Sequence, residues 1–235
     1  TDLKKLSPLF EEAFRSIEAL EAGSIANIDE NRQVGHYWLR NPKIAPNNDI
    51  SNSIKTEIES IELFADQILS GQISSPNGNQ FTDVLWIGIG GSGLGPLLIN
   101  QALQLPGRGL RVHFLDNVDP VGITRTLSKI NDKFQTTLFV TVSKSGGTPE
   151  PRIGMEQSRK ALDEKGGCWP KQSVAITMRN SQLDIQAKTE EWLIRFDLPD
   201  WVGGRTSITS AVGLLAAALM DADIRMFLRG ASIMD

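Results

Sequence analysis

From Thr82 onward the chain alternates short apolar runs with longer amphipathic ones, and this rhythm limits the fold more than any other feature. Residues 84–89, 111–115, 137–142, 173–177 and 193–196 are strand-length and rich in branched or aromatic side chains. Helix-like runs follow each of them, at 96–103, 121–129, 149–165, 183–191 and 207–219. Five strand–helix units in series predict an α/β fold, a doubly wound five-stranded parallel sheet, because a crossover helix returns the chain to a strand of the same direction. In such sheets ligands gather beyond the carboxyl ends of the strands, where the strand order reverses.

The first and third strands of the series run out into the two loops richest in small polar residues. The first is Gly88-Ile-Gly-Gly-Ser-Gly-Leu-Gly95, in which glycines let a ligand approach the main chain and Ser92 adds a hydroxyl. Free N–H groups at the positive end of a helix suit an anion, most often a phosphate. A glycine-rich turn can also serve only to bring a helix close to a sheet. The second loop, Thr141-Val-Ser-Lys-Ser-Gly-Gly-Thr-Pro-Glu150, offers Ser143, Ser145 and Thr148 hydroxyls, Lys144 and the flexible pair Gly146 and Gly147. Taken together, the two loops read as a phosphate cradle built from neutral donors. A third stretch, Gly203-Gly-Arg-Thr-Ser207, sets Arg205 at the mouth of an apolar helix, where a planar guanidinium suits an oxygen that turns negative during a reaction. A surface ion pair is its plainer alternative.

Gly88, Gly90 and Gly93 also satisfy the G-x-G-x-x-G spacing of dinucleotide sites, with Asp116 placed where a ribose-binding acid would sit. That reading leaves Ser143, Ser145 and Thr148 without a role, whereas one sugar phosphate employs both loops. His113, inside a strand, reads as packed rather than as a base. Glu150 is an ordinary first-turn helix residue, at the wrong end of a sugar to move its protons.

Composition narrows the class further. The chain has 235 residues, 40% of them hydrophobic, enough for one sizeable core. A net charge of -4 with no lysine- or arginine-rich run argues against nucleic acid as a partner. Cys168 is the single cysteine and His36 and His113 the two histidines, so neither an internal disulfide nor a zinc cluster is expected. No apolar run reaches the roughly 18 residues needed to cross a bilayer. Before the sheet, residues 1–75 read as a helical arm. Leu6, Phe10, Phe14, Ile17 and Leu20 recur at helical spacing and predict a packed face, and Ile54, Ile58, Ile61 and Leu69 mark a second amphipathic helix. The chain starts without methionine and stops directly after a helix-like run at 224–229, which reads as a piece of a longer polypeptide.

In their combination these stretches, with Tyr37-Trp-Leu-Arg40 and Asn117-Val-Asp-Pro120, resemble the amino-terminal part of the glucose-6-phosphate isomerase (phosphoglucose isomerase) family. The wording Ser143-Lys-Ser-Gly-Gly-Thr148 is similar to the cyanobacterial and plastid branch. The resemblance implies a flavodoxin-like sugar-isomerase (SIS) domain over residues 76–235, ahead of a second such domain that this chain lacks. It implies that Ser143, Ser145, Gly146, Gly147 and Thr148, with the Lys144 main chain and Ser92, hold the phosphate of glucose 6-phosphate or fructose 6-phosphate. Gly91 and Ser92 would border the sugar, and Arg205 would steady a cis-enediolate. Thr206 stands where family members often carry an aromatic. No metal and no cofactor are implied. The proton-transferring glutamate and the ring-opening histidine and lysine belong to the second half of the family's polypeptide and have no matching position here. A homodimer and a cytoplasmic setting, or a plastid stroma, come with the resemblance. A non-catalytic sugar-phosphate sensor of the same fold is the second reading, and a dinucleotide-binding oxidoreductase the third.

Overall fold

The computed structural model describes residues 2–235. A helix, α1 (Asp2–Glu21), leads into a small antiparallel hairpin of β1 (Ile25–Asn27) and β2 (Arg32–Gln33), then α2 (His36–Arg40) and the long α3 (Asn48–Leu69). The alternating part follows as β3 (Asp83–Ile87), α4 (Gly91–Leu103), β4 (Arg111–Leu115), α5 (Pro120–Lys129), β5 (Thr137–Val142), α6 (Pro149–Glu164), β6 (Ser173–Thr177), α7 (Gln182–Thr189) and β7 (Ile194–Asp197). Helices α8 (Ala211–Leu219) and α9 (Ile224–Met234) close the chain.

The sheet has five strands in the order β4-β3-β5-β6-β7, every neighbouring pair parallel, as the rhythm of the sequence predicts. Every residue of β3 and β5 is buried, as expected of central strands covered on both faces. Side chains alternate between the two faces. Val84, Trp86, Leu138, Val140, Val142 and Ile176 join Ile61, Phe64 and Ile68 of α3, Ile99 of α4 and Leu215 of α8. Leu85, Ile87, Phe139 and Ala175 meet Ile123 of α5, Met155 and Leu162 of α6 and Leu183 of α7. Helix α3 therefore packs into the same core as the sheet, capped at its start by Asn47, whose side chain accepts the Ile50 N–H at 2.9 Å.

Three expectations need correction. Helix α4 begins at Gly91 rather than Pro96, so Pro96 lies inside it. Proline deprives the Ser92 carbonyl, four residues earlier, of its helical donor. The Trp86 indole fills that place, donating from Nε1 to Ser92 O at 2.8 Å. The run at 207–219 divides into a tight turn, Gly204–Thr209, and α8, because Ser210 adopts an extended conformation and caps the helix by accepting the Val212 N–H. The apolar face of α1 is not packed. Phe10, Phe14 and Ile17 are all exposed, and α1 joins the body at its carboxyl end, where Trp38 Nε1 donates to Glu21 O at 2.8 Å. The β1–β2 hairpin is an addition: strands of three and two residues are too short to show a period in sequence.

Two carboxylates at opposite ends of the sheet are shifted in opposite directions. Asp83, fully buried at the amino end of β3, receives Arg111 at 2.9 Å, the His113 Nε2 contact at 2.8 Å and Lys133 at 3.7 Å. Burial alone would raise its pKa, but hydrogen bonds from His113 and Thr82 and the charges of Arg111 and Lys133 outweigh it and hold the group down to about 2. His113 is accordingly a structural partner at the end of the sheet away from the strand carboxyl termini. Glu57 of α3 accepts the Asp197 N–H at 2.7 Å beside the end of β7. There burial dominates, with repulsion from Asp197 added, and overrides the Asp197 N–H and the Arg179 charge, raising Glu57 to about 7.

The signs give two tests. Asp83 is lowered, so its contribution is present above its ordinary 3.8 and is lost as pH falls through about 2. At pH 7, Asp83→Asn is expected to cost about 2–3 kcal/mol in urea unfolding, the scale of hydrogen bonds to a charged group. Glu57 is raised, so its contribution is complete below its ordinary 4.5 and is lost as pH rises through about 7. Glu57→Gln should abolish that decline, leaving the variant more stable than the parent above pH 7 by up to roughly 3 kcal/mol. An unchanged pH slope would contradict this assignment.

Candidate functional site

Because β3 lies between β4 and β5, the chain leaves β3 toward one edge and returns to β5 on its other side. The connections after β3 and β5 therefore diverge, and a crevice opens between their carboxyl ends. Both polar loops of the sequence lie there. Ser92, Ser143, Lys144, Ser145 and Thr148 share one cleft of about 310 Å³, with Ile89, Pro151 and Met178 as its apolar wall and Glu30 and Arg32 from the hairpin facing them.

The loop after β5 is fixed from beneath. Ser143 N–H donates to Ile176 O at 3.1 Å, Met178 N–H to Lys144 O at 3.1 Å, and Thr177 Oγ1 to Ser143 O at 2.6 Å. Gly146 has φ 69°, and a Cβ there would stand 2.6 Å from the Leu183 nitrogen, so the bend requires glycine. Gly147, by contrast, is unconstrained by its neighbours beyond the Gln182 side chain at 3.8 Å. Thr148 caps α6 without a side-chain bond to it; its hydroxyl lies 3.4 Å from that of Ser145. Pro149 and Pro151 remove the N–H from two of the first three positions of α6, so hydroxyls rather than helix amides supply the donors here. Ser143 Oγ is buried without a hydrogen-bond partner, and of the described residues in that state it is the one on the cleft wall. A buried hydroxyl left unpaired is costly, so Ser143 is the residue of this wall whose polar atom the protein itself leaves unsatisfied.

Lys144 plays a part that the sequence did not suggest. Its Nζ donates to the carbonyls of Asp200 at 2.5 Å and Val202 at 2.8 Å, tying the cradle to the loop that carries Arg205. Burial, followed by the nearby Arg32 charge, lowers the Lys144 pKa. That third loop reaches the first one backbone to backbone. A Cβ on Gly91 would lie 2.2 Å from Gly204 O, and Ser207 Oγ donates to Gly91 O at 2.9 Å. Gly91 thus serves this close approach, while Ser92 faces the cleft. Arg205 stands exposed in the Gly204–Thr209 turn, beside the cleft rather than on its wall, and has no ion pair among the described residues.

The rival glycine pattern has a packing explanation. Gly90 takes φ 56°, and a Cβ on Gly93 would meet Gly88 O at 2.6 Å, which brings α4 hard against the end of β3. Asp116 is exposed and accepts the Asn117 amide at 3.0 Å. Among the described residues no group of three or more His, Cys, Asp or Glu could hold a metal ion, and no helix is long and apolar enough to cross a membrane. Sequence reasoning missed Glu30 and Arg32; their only signal was the turn-forming Asn27 and Asn31 on either side of a short polar stretch.

Residues 2–235 match the family model described as phosphoglucose isomerase. A protein of Prochlorococcus marinus (strain MIT 9211) named glucose-6-phosphate isomerase is 61% identical over 234 residues, covering 100% of this chain and 44% of that protein. One of the same name from Synechococcus sp. (strain CC9605) is 58% identical over 235 residues, with the same coverage. Among solved structures, a glucose-6-phosphate isomerase from Chlamydia trachomatis superimposes with a TM-score of 0.83 at 30% identity, covering 99% of this chain and 45% of that one. A hypothetical protein from Thermus thermophilus gives 0.75 at 29% identity, covering 98% and 48%. The chain therefore spans less than half the length of the relatives it matches.

The close approach of Gly91 and Gly204 has a measurable consequence. Gly91→Ala should push the Arg205 turn away from α4 and lower stability by about 1–3 kcal/mol, the usual cost of forcing atoms into a packed site. An unfolding curve that overlays the parent's would contradict the contact.

Proposed function

The chain belongs to the phosphoglucose isomerase family, and from that premise we propose that its cleft holds the phosphate of a hexose phosphate in an enzyme interconverting glucose 6-phosphate and fructose 6-phosphate. The observation that carries the reading is the convergence of Ser92, Ser143, Ser145 and Thr148 at the point where strand order reverses, with the Ser143 hydroxyl buried and unpaired. Neutral donors suit this task. A phosphate that must be both bound and released is held by hydroxyls and amides without the electrostatic grip of several fixed cations. The sugar would then extend toward Ser92 and the Arg205 turn. As a proton passes between the first two carbons, the oxygens of a cis-enediolate gain charge, and the guanidinium of Arg205 can stabilise it.

The carboxylate on the cleft wall, Glu30, is hydrogen-bonded to the Asn27 amide at 2.8 Å and to Arg32. A general base needs an uncommitted carboxylate within about 3 Å of the proton it takes. The reading therefore gives this chain phosphate binding and transition-state stabilisation, and leaves proton transfer to the glutamate, histidine and lysine that the resemblance assigns to another part of the polypeptide. The homodimer and the cytoplasmic or stromal setting belong to the same proposal.

Calorimetric titration with fructose 6-phosphate tests it. The 235-residue chain should bind, and Ser145→Ala or Thr148→Ala should weaken binding by about tenfold, as expected for losing one hydrogen bond to a charged ligand. A coupled isomerase assay on the same chain should show no turnover. Unaltered affinity in both variants would remove the cradle from the account.

A further inference from the structure

Two cations line the cleft, and they are not in the same state. Lys144 is committed: two backbone carbonyls of the Arg205 loop take its ammonium. Arg32 is not. It comes from the β1–β2 hairpin, outside both loops of the cradle, and its partner is Glu30, at 3.3 Å with the two side chains 34% and 54% exposed. Ion pairs this open to solvent contribute little to stability, so the guanidinium can exchange its carboxylate for a better anion at little cost.

The hairpin is built to present that residue. Asn27 Oδ1 accepts the Glu30 N–H at 3.2 Å, and its amide donates to the Glu30 carboxylate at 2.8 Å. Asn31 takes φ 51°, a left-handed turn conformation that asparagine tolerates better than most residues. The hairpin is also anchored. Gln33 Nε2 donates to Gly23 O at 2.7 Å, and Gly35 N–H donates to Trp201 O at 3.0 Å, joining it to the loop that Lys144 holds. A planar guanidinium on a short, anchored ribbon, lining the same cleft as four hydroxyl-bearing residues, offers the fork of donors that a phosphate accepts bidentately.

We propose that Arg32 is the charged ligand of the substrate phosphate, released from Glu30 to the phosphate when the sugar phosphate enters the cleft. This rests on the hexose phosphate reading above and adds the hairpin to the binding site. Glu30 then acts as a competitor for the guanidinium, so removing its charge favours the bound state. The exchange also gives the affinity a dependence on ionic strength that a wholly neutral cradle would lack.

The test is titration of the full chain with fructose 6-phosphate, with inorganic phosphate as a competing ligand, at low and high salt. Arg32→Gln should weaken both ligands by about tenfold and flatten the salt dependence, Arg32→Lys should recover only part of the loss, and Glu30→Gln should tighten binding several-fold. Thermal unfolding midpoints of the variants should match the parent's, since both side chains are partly exposed. Binding within twofold of the parent for Arg32→Gln and Glu30→Gln, while Ser145→Ala still loses affinity, would overturn the role of Arg32 and leave the cradle standing. Loss of fructose 6-phosphate affinity in Arg32→Gln with inorganic phosphate unaffected would also overturn it, because the arginine would then read the sugar. If the unaltered chain bound neither ligand, both readings would fall together.

Discussion

The pairing of β3 with β5 is the constraint from which the functional end of the molecule follows. Placing the third strand of the series beside the first forces their following loops apart, so the sheet itself creates the crevice. What fills its rim is then a matter of local chemistry. Prolines strip α6 of two of its first-turn donors and leave hydroxyls to take their place, while glycines let two stretches of main chain touch where side chains would keep them separate.

Around that rim, charge is handled by position rather than by number. The hydroxyls of the cradle are neutral, Lys144 neutralises carbonyl dipoles of a neighbouring loop, and Arg205 stands clear of any partner among the described residues. Lys144, whose main chain the resemblance assigns to the phosphate, thus uses its side chain as a strut between loops. It ties the cradle to the loop that runs into the Gly204–Thr209 turn, which Gly204 and Ser207 in turn hold against Gly91 at the start of α4.

Much of this was readable in the chain, and what was not has identifiable causes. Strand-length apolar runs gave the sheet and its parallel direction, and the two serine-bearing loops appeared where the reversal places them. In sequence Pro96 looks like the beginning of α4, since proline favours a first turn; only the Trp86 indole, six residues from the carbonyl it serves, reveals why it can lie inside. The apolar stripe of α1 has the period of a packed helix, yet period reports the existence of a face and not what covers it. The hairpin with Glu30 and Arg32 escaped because five strand residues cannot establish an alternation, and because its place over the cleft depends on contacts with Gly23 and Trp201 distant in sequence.

The bond from Trp86 to the Ser92 carbonyl reaches beyond helix geometry. It links a chromophore sealed in the core to a residue on the wall of the cleft, through a dipole aligned with the indole N–H. Any displacement of the Ser92 carbonyl at the mouth of α4 must therefore be met by the indole bonded to it, one of five tryptophans in the chain.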